Sequence, residues 1–255
     1  MDYENRLVCF FDILGFKSAI NRCETDTEFR MKLYDLLNSL QTDDIKDFLY
    51  GNFPVYLLDK QNTIVTAREF HKGKHVEEIS TSWPLAITQF SDSFVISCPA
   101  DNKVSCNLML KLIYFLSLSL FVDLKLMSRG GLTLGKIFHT DDRVLFGPAM
   151  NEAYKLESVE AKYPRVLVDE AAASHMRKLI NGSPNLEPIV MDLDGRQAIN
   201  MVSILSWSLI DESVEPEYPV SLSHIKSNIE AELECVMEKY RYLDERWVQY
   251  LQSKI

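Results

Sequence analysis

Short apolar runs rich in strand formers alternate with longer mixed segments along this chain. Arg6 to Phe11 (RLVCFF), Leu85 to Phe90, Phe94 to Ser97, Arg129 to His139, Arg165 to Val168, Ile189 to Leu193 and Ala198 to Leu205 have the length and composition of strands. The mixed segment from Gly15 through Leu40, the run of about 104 to 126, Pro148 to about Val159 and Glu170 to Leu179 suit helices, with Pro148 at a permissive first-turn position. The resulting order is βα, ββ, α, β, α, β, α, ββ, which predicts an α+β fold built as a mixed sheet flanked by helices.

Two stretches stand outside that order. Residues 52 to 82 hold strand-like pieces (PVYLL, TIVTA) and then a charged run with His71, Lys72, Lys74 and His75, which reads as an inserted excursion with solvated histidines. Asp211 to Pro219 has a linker composition, and the pattern of Ser221 to Lys254 predicts an amphipathic helix with Ile225, Ile229, Leu233, Val236, Tyr240, Leu243 and Trp247 on one stripe. The organisation predicted is a main domain over 1–210, a linker over 211–220 and a C-terminal helix over 221–255 that packs on the domain or on a dimer.

Composition narrows the function classes. An apolar fraction of 47% over 255 residues is enough for a real core. A net charge of -10 argues against extended nucleic-acid binding, which calls for a basic surface. The apolar run from Leu108 to Leu126 is interrupted by Lys111 and Asp123 and falls short of the roughly 20 residues a membrane span needs, so a core helix is expected there. The opening MDYENR is too acidic for a secretory signal, and the five cysteines are scattered without a C-x-x-C pair; both predict a cytoplasmic protein with reduced thiols.

Candidate chemistry begins with two carboxylates. Asp12 follows the first strand, and Asp92 sits in a Ser91-Asp92-Ser93 triplet that suits a hairpin tip. Taken singly, Asp12 reads equally well as a helix N-cap and Asp92 as a turn residue. If the strands are adjacent the pair shares one edge. Two ionised carboxylates about 4 Å apart repel by roughly 4 kcal/mol at an effective dielectric of 20, so they need a cation or a proton between them. Oxygen donors beside phosphates suit Mg²⁺ or Mn²⁺.

Four segments in order carry a resemblance: Phe10-Phe-Asp-Ile-Leu-Gly-Phe16, Gln89-Phe-Ser-Asp-Ser-Phe94, Arg129-Gly-Gly-Leu-Thr-Leu-Gly135 and Gly147-Pro-Ala-Met-Asn-Glu-Ala-Tyr-Lys-Leu-Glu157. Together they resemble the successive signature segments of class III nucleotidyl cyclases, across most of residues 5 to 205. The resemblance implies a ferredoxin-like palm and two divalent metals, Mn²⁺ or Mg²⁺, on Asp12, Asp92 and the backbone carbonyl of Ile13. It implies a phosphate-cradling turn from Leu14 to Lys17, with Phe11, Gly15, Phe16 and Lys17 on the substrate side, and Arg129 as a phosphate ligand. Asn151 matches the ribose-orienting asparagine. Lys155 stands where the family usually has a transition-state arginine, and a lysine lacks the planar fork. The family builds its sites across a head-to-tail homodimer, so the same is implied here.

Base choice in the purine cyclases rests on positions matched by Thr88 and Val144. Neither the adenylate nor the guanylate pair is present, and valine leaves a purine edge unpaired. The chain also looks like the bacterial antiphage pyrimidine cyclases, the Pycsar family, in Gln89-Phe-Ser-Asp92, in Glu152-Ala-Tyr-Lys-Leu-Glu157, and in Lys239-Tyr-Arg-Tyr-Leu243 followed by Trp247. This implies a uridylate cyclase, with a cytidylate cyclase as the near alternative. The competing classes are a catalytically silent nucleotide-binding signalling domain and an adenylate or guanylate cyclase with an unusual pocket.

Overall fold

The computed structural model describes residues 2–40, 56–58, 64–66, 84–140, 144–180, 189–199 and Glu245. The linker expected over 211–220, the helix over 221–255 apart from Glu245, His71, His75 and most of the insert lie outside the described residues.

The strand predicted from Arg6 runs longer, as β1 (Glu4–Leu14). It ends at Gly15, whose φ of 80° favours glycine, and the chain turns into α1 (Phe16–Cys23). Asp26 accepts a hydrogen bond from Phe29 N at 2.9 Å and starts α2 (Thr27–Ser39). The insert contributes a small antiparallel pair, β2 (Tyr56–Leu58) and β3 (Ile64–Thr66). A hairpin follows, β4 (Ala86–Phe90) and β5 (Ser93–Pro99), then α3 (Lys103–Val122), capped by Asn102. The chain continues through β6 (Met127–His139), β7 (Leu145–Phe146) and α4 (Pro148–Lys155), which passes into one π-turn over Leu156–Glu160. It then forms β8 (Val166–Val168), α5 (Glu170–Ile180), β9 (Ile189–Met191) and β10 (Gln197–Ile199).

The main sheet has the order β4-β5-β1-β6-β8-β10-β9, with β7 on the side of β6. It is mixed because β6 and β8 run parallel while the other pairs are antiparallel. Its first four strands, with α1 and α2 between β1 and β4 and α3 between β5 and β6, form the β-α-β-β-α-β arrangement of a ferredoxin-like palm.

The two faces of this palm differ, because successive strand residues point to opposite sides. Leu7, Cys9, Phe11 and Ile13 of β1 join Phe94, Ile96 and Leu132 against Phe29 and Leu33 of α2 and Leu112 and Leu116 of α3. That face holds the main core. On the opposite face Val8, Phe10, Val95 and Ile137 pack against Ala149 and Ala153 of α4, and Arg6, Asp12, Ser93, Ser97, Arg129 and Thr133 share it by register. The apolar run that invited comparison with a membrane span is α3, a core helix, and no helix among the described residues is long and apolar enough to cross a membrane.

One helix was predicted from Pro148 to about Val159, but regular α-helix stops at Lys155. An apolar period does not register the widening of a single turn, and here the turn lies hard against β6. A Cβ on Gly131 would stand 2.4 Å from both Ala153 O and Leu156 Cβ. Gly131 therefore admits the close approach. The Gly131→Ala substitution should destabilise the fold by about 3 kcal/mol or more, since the crowding atoms include backbone that cannot step aside; the urea midpoint of purified protein measures this, and an unchanged midpoint would refute the packing.

Candidate active site

Asp12 does not cap a helix or follow the strand; it lies inside β1, and its place as N-cap of α1 belongs to Gly15. Aspartate disfavours strands, so its pattern ends the prediction early, yet pairing on both sides overrides that preference. Its partners are Ser93 on β5 and Arg129 on β6. Ser93 Oγ donates to Asp12 Oδ1 at 3.2 Å, and Arg129 Nε stands 3.4 Å from Asp12 Oδ2. Asp92 occupies the tip between β4 and β5, next to Ser91 with φ of 54°, and Ile13 N donates to Asp92 O at 3.0 Å. The tip is thus tied by its backbone to β1, leaving the Asp92 carboxylate out of that bond.

A third carboxylate, absent from the sequence-based site, completes the group. Glu157 in the π-turn is 2% exposed, and its Oε1 lies 2.5 Å from Arg129 Nε. Neither atom has a hydrogen-bond partner, so the short approach is a charge contact and not an aligned bond. The available signal was spacing: Ala149, Ala153 and Glu157 recur every four residues on one helix face, and an acidic residue there is an anomaly.

Burial is the main influence raising the proton affinity of Asp12; Arg129 and the Ser93 hydroxyl oppose it, and Asp92 adds to it. Glu157 is raised in the same way, chiefly by burial, with Arg129 opposing and Asp12 and Asp92 reinforcing. Asp12 and Glu157 beside one guanidinium, with Asp92 near enough for its charge to act on both carboxylates, leave an excess of negative charge, and hard oxygen donors with that excess suit a divalent cation. Among the described residues, no group of three or more His, Cys, Asp or Glu side chains is close enough to enclose a metal ion by itself. Asp12 and Asp92 with the Ile13 carbonyl fit the hard-donor chemistry as an open set, one that leaves positions for substrate oxygens.

The remaining predicted residues separate into groups. Phe11, placed on the substrate side by resemblance, is a core residue with its ring 6.2 Å from that of Phe94. Alternation along β1 turns it away from Asp12. The Ile13 side chain is likewise in the core, which leaves its carbonyl as the only possible donor. Phe16 packs its ring on the core, while Gly15 and Lys17 are exposed at the start of α1, where no side chain caps the helix and no acidic residue sits in the first turn. Asn151 and Lys155 are exposed on the outer face of α4, and Val144, before β7, is 50% exposed. The outer face of α4 is turned away from the sheet, so one chain does not bring Asn151 and Lys155 onto the face with Asp12.

Thr88 is 5% exposed, with Oγ1 2.9 Å from His139 Nε2. His139 Nδ1 in turn lies 2.8 Å from Ser97 Oγ, which accepts from Arg6 Nε at 2.9 Å. His139 was not among the sequence-based candidates, since a lone histidine at a strand end carries no distinguishing pattern.

No protein-family model and no curated protein matches the chain. Among solved structures it is similar to the adenylyl cyclase CyaB from P. aeruginosa, at 17% identity and a TM-score of 0.43, over 78% of this chain and 97% of that one. It is also similar to a bacterial light-regulated adenylyl cyclase, at 13% identity and a TM-score of 0.44, over 84% of this chain and all of that one.

Burial, assisted by Arg6, pulls His139 down to about 4 from an ordinary 6.5. The unfolded chain then binds the extra proton first, so this group's stabilisation is complete above pH 6.5 and is lost as pH falls toward 4, by at most about 3 kcal/mol. Replacing His139 with Asn should flatten the rise of stability between those pH values; urea titrations across that range measure it, and parallel curves for both proteins would exclude this role.

Proposed function

We propose that this chain is a pyrimidine nucleotide cyclase that converts UTP, or alternatively CTP, to the 3′,5′-cyclic monophosphate and pyrophosphate, making a second messenger in bacterial antiphage defence. The observation that carries the reading is Asp12, flanked on adjacent strands by Ser93 and Arg129, with the Asp92 hairpin tip bonded to the next residue of its strand.

In the reaction the ribose 3′-oxygen attacks the α-phosphorus, the bond to the β,γ-diphosphate breaks, and the 3′-OH proton is released. Asp12, Asp92 and the Ile13 carbonyl would hold two divalent cations, Mn²⁺ or Mg²⁺, which when bound acidify the attacking hydroxyl and stabilise the charge of the leaving oxygens. Uncapped backbone N–H groups of Phe16 and Lys17 at the start of α1 orient the triphosphate. The Arg129 fork adds a planar bidentate contact to phosphate oxygens. Asn151 and Lys155 serve the site of a second copy of the chain, which accounts for their outward position on α4 and calls for a head-to-tail homodimer. Thr88 and Val144 lie at the base-reading positions, and valine disfavours a purine edge.

Lys155 favours one second reading, a nucleotide-binding signalling domain without turnover, because an ammonium does not hold two phosphate oxygens in one plane. Incubating the purified protein with each of the four ribonucleoside triphosphates and Mn²⁺ separates the two. Cyclic UMP is expected as the main product, cyclic CMP would shift the substrate within the same class, and binding without any cyclic product would establish the second reading. Asp92→Ala should reduce the rate by about a hundredfold or more, corresponding to a loss of several kcal/mol of charge stabilisation. The backbone of Asp92, not its side chain, bonds to Ile13, so the variant should keep the wild-type fold and elution volume; wild-type activity would remove Asp92 from the site.

A further inference from the structure

Arg129 meets two carboxylates through one nitrogen. Its Nε is 2.5 Å from Glu157 Oε1 and 3.4 Å from Asp12 Oδ2. The Arg129 side chain keeps 27% of its surface exposed, which leaves the guanidinium within reach of a ligand. We infer that Glu157 is a positioning residue that draws the Arg129 guanidinium off Asp12, so that this carboxylate stays open to a divalent cation and the arginine fork stays open to phosphate. The inference rests on Asp12 as a metal ligand.

Distance and burial both favour Glu157 over Asp12 as the arginine's anchor. At equal dielectric the attraction at the shorter distance is larger by roughly a third. The Glu157 side chain is also only 3% exposed, against 17% for Asp12, so water screens it less. Without Glu157, Asp12 would be the only carboxylate in ion-pair contact with Arg129 among the described residues. A guanidinium settled there would occupy the oxygen that a metal needs.

The fold provides for this placement. The π-turn brings Glu157 to the sheet, and Gly131, two residues after Arg129 on β6, has no side chain to hold the turn away. The π-turn ends the helix here, and single π-turns are uncommon and frequent at functional sites. A role limited to balancing buried charge would need only a carboxylate near Arg129. It would not link Glu157 to the affinity of Asp12 for a cation.

The test is calorimetric titration of Mn²⁺ into the nucleotide-free full chain, for wild type, Glu157→Gln, Arg129→Gln and the double variant, with near-ultraviolet dichroism to verify folding. Glu157→Gln, nearly isosteric, should weaken Mn²⁺ binding about tenfold, a difference of about 1.4 kcal/mol. Removing Arg129 should cancel that loss, so the double variant should bind within twofold of Arg129→Gln alone. Glu157→Asp keeps the charge but shortens its reach, and should lie between wild type and Glu157→Gln; it carries the comparison if Glu157→Gln does not fold. Unchanged Mn²⁺ affinity in Glu157→Gln overturns the inference, as does an equal loss in the Arg129→Gln background, which would make Glu157 a ligand or a structural residue. If wild type binds no Mn²⁺, or Asp12→Asn binds it as wild type does, the metal reading of Asp12 fails and takes the inference with it.

Discussion

Strand β1 is hydrogen-bonded along both edges, and that double pairing is the constraint on which the rest of the structure depends. Its register with β5 runs from Arg6 to Asp12 and with β6 from Glu4 to Leu14. A strand fixed on both sides cannot slip by one residue without exchanging its two faces. The alternation therefore fixes Leu7, Cys9, Phe11 and Ile13 toward the helices, and with them Arg6, Val8, Phe10 and Asp12 toward the other face. A slip would bury Asp12 in the core and expose Phe11, a cost that neither Ser93 nor Arg129 could offset.

The same pairing sets the electrostatics of the site. Asp12 is partly withdrawn from water because it lies within the sheet, and Arg129 is its neighbour because β6 pairs there. Glu157 arrives from a distant part of the chain, through the contact of the π-turn with Gly131. One guanidinium then faces several carboxylates in a half-dry environment. A buried ion pair of this kind adds little net stability, since desolvation consumes most of the attraction. Its value lies in arrangement: it holds a cation and anions in fixed positions, at a place where burial strengthens every further charge that enters.

Much of this architecture was legible in the chain because its elements are short and locally coded. The runs at Leu85 and Phe94, split by Ser91-Asp92, gave the hairpin, since polar residues between strand formers have few alternatives to a turn. The long apolar segment gave α3, and Lys111 within it excluded a membrane span. The extension of β1 through Asp12 was not legible, because aspartate opposes strand and only two neighbouring strands hold it there. The inward turn of Phe11 follows from the same extension. Glu157 and His139 were passed over because each acquires its surroundings from residues far away in sequence: Arg129 for the first, and Thr88 and Ser97 for the second.

By itself the sequence determined most of the described elements and their order, together with the segments that carry Asp12, Asp92, Arg129 and Asn151, because periodicity, turn chemistry and local motifs act over a few residues. Only the tertiary structure decided which of these residues meet. It placed Arg129 opposite Asp12, brought Glu157 onto Arg129, put Thr88 in a buried polar chain, and left Asn151 and Lys155 on an outward helix face. Those are matters of strand register and of backbone approach at Gly131, and both depend on contacts between segments that local sequence does not encode.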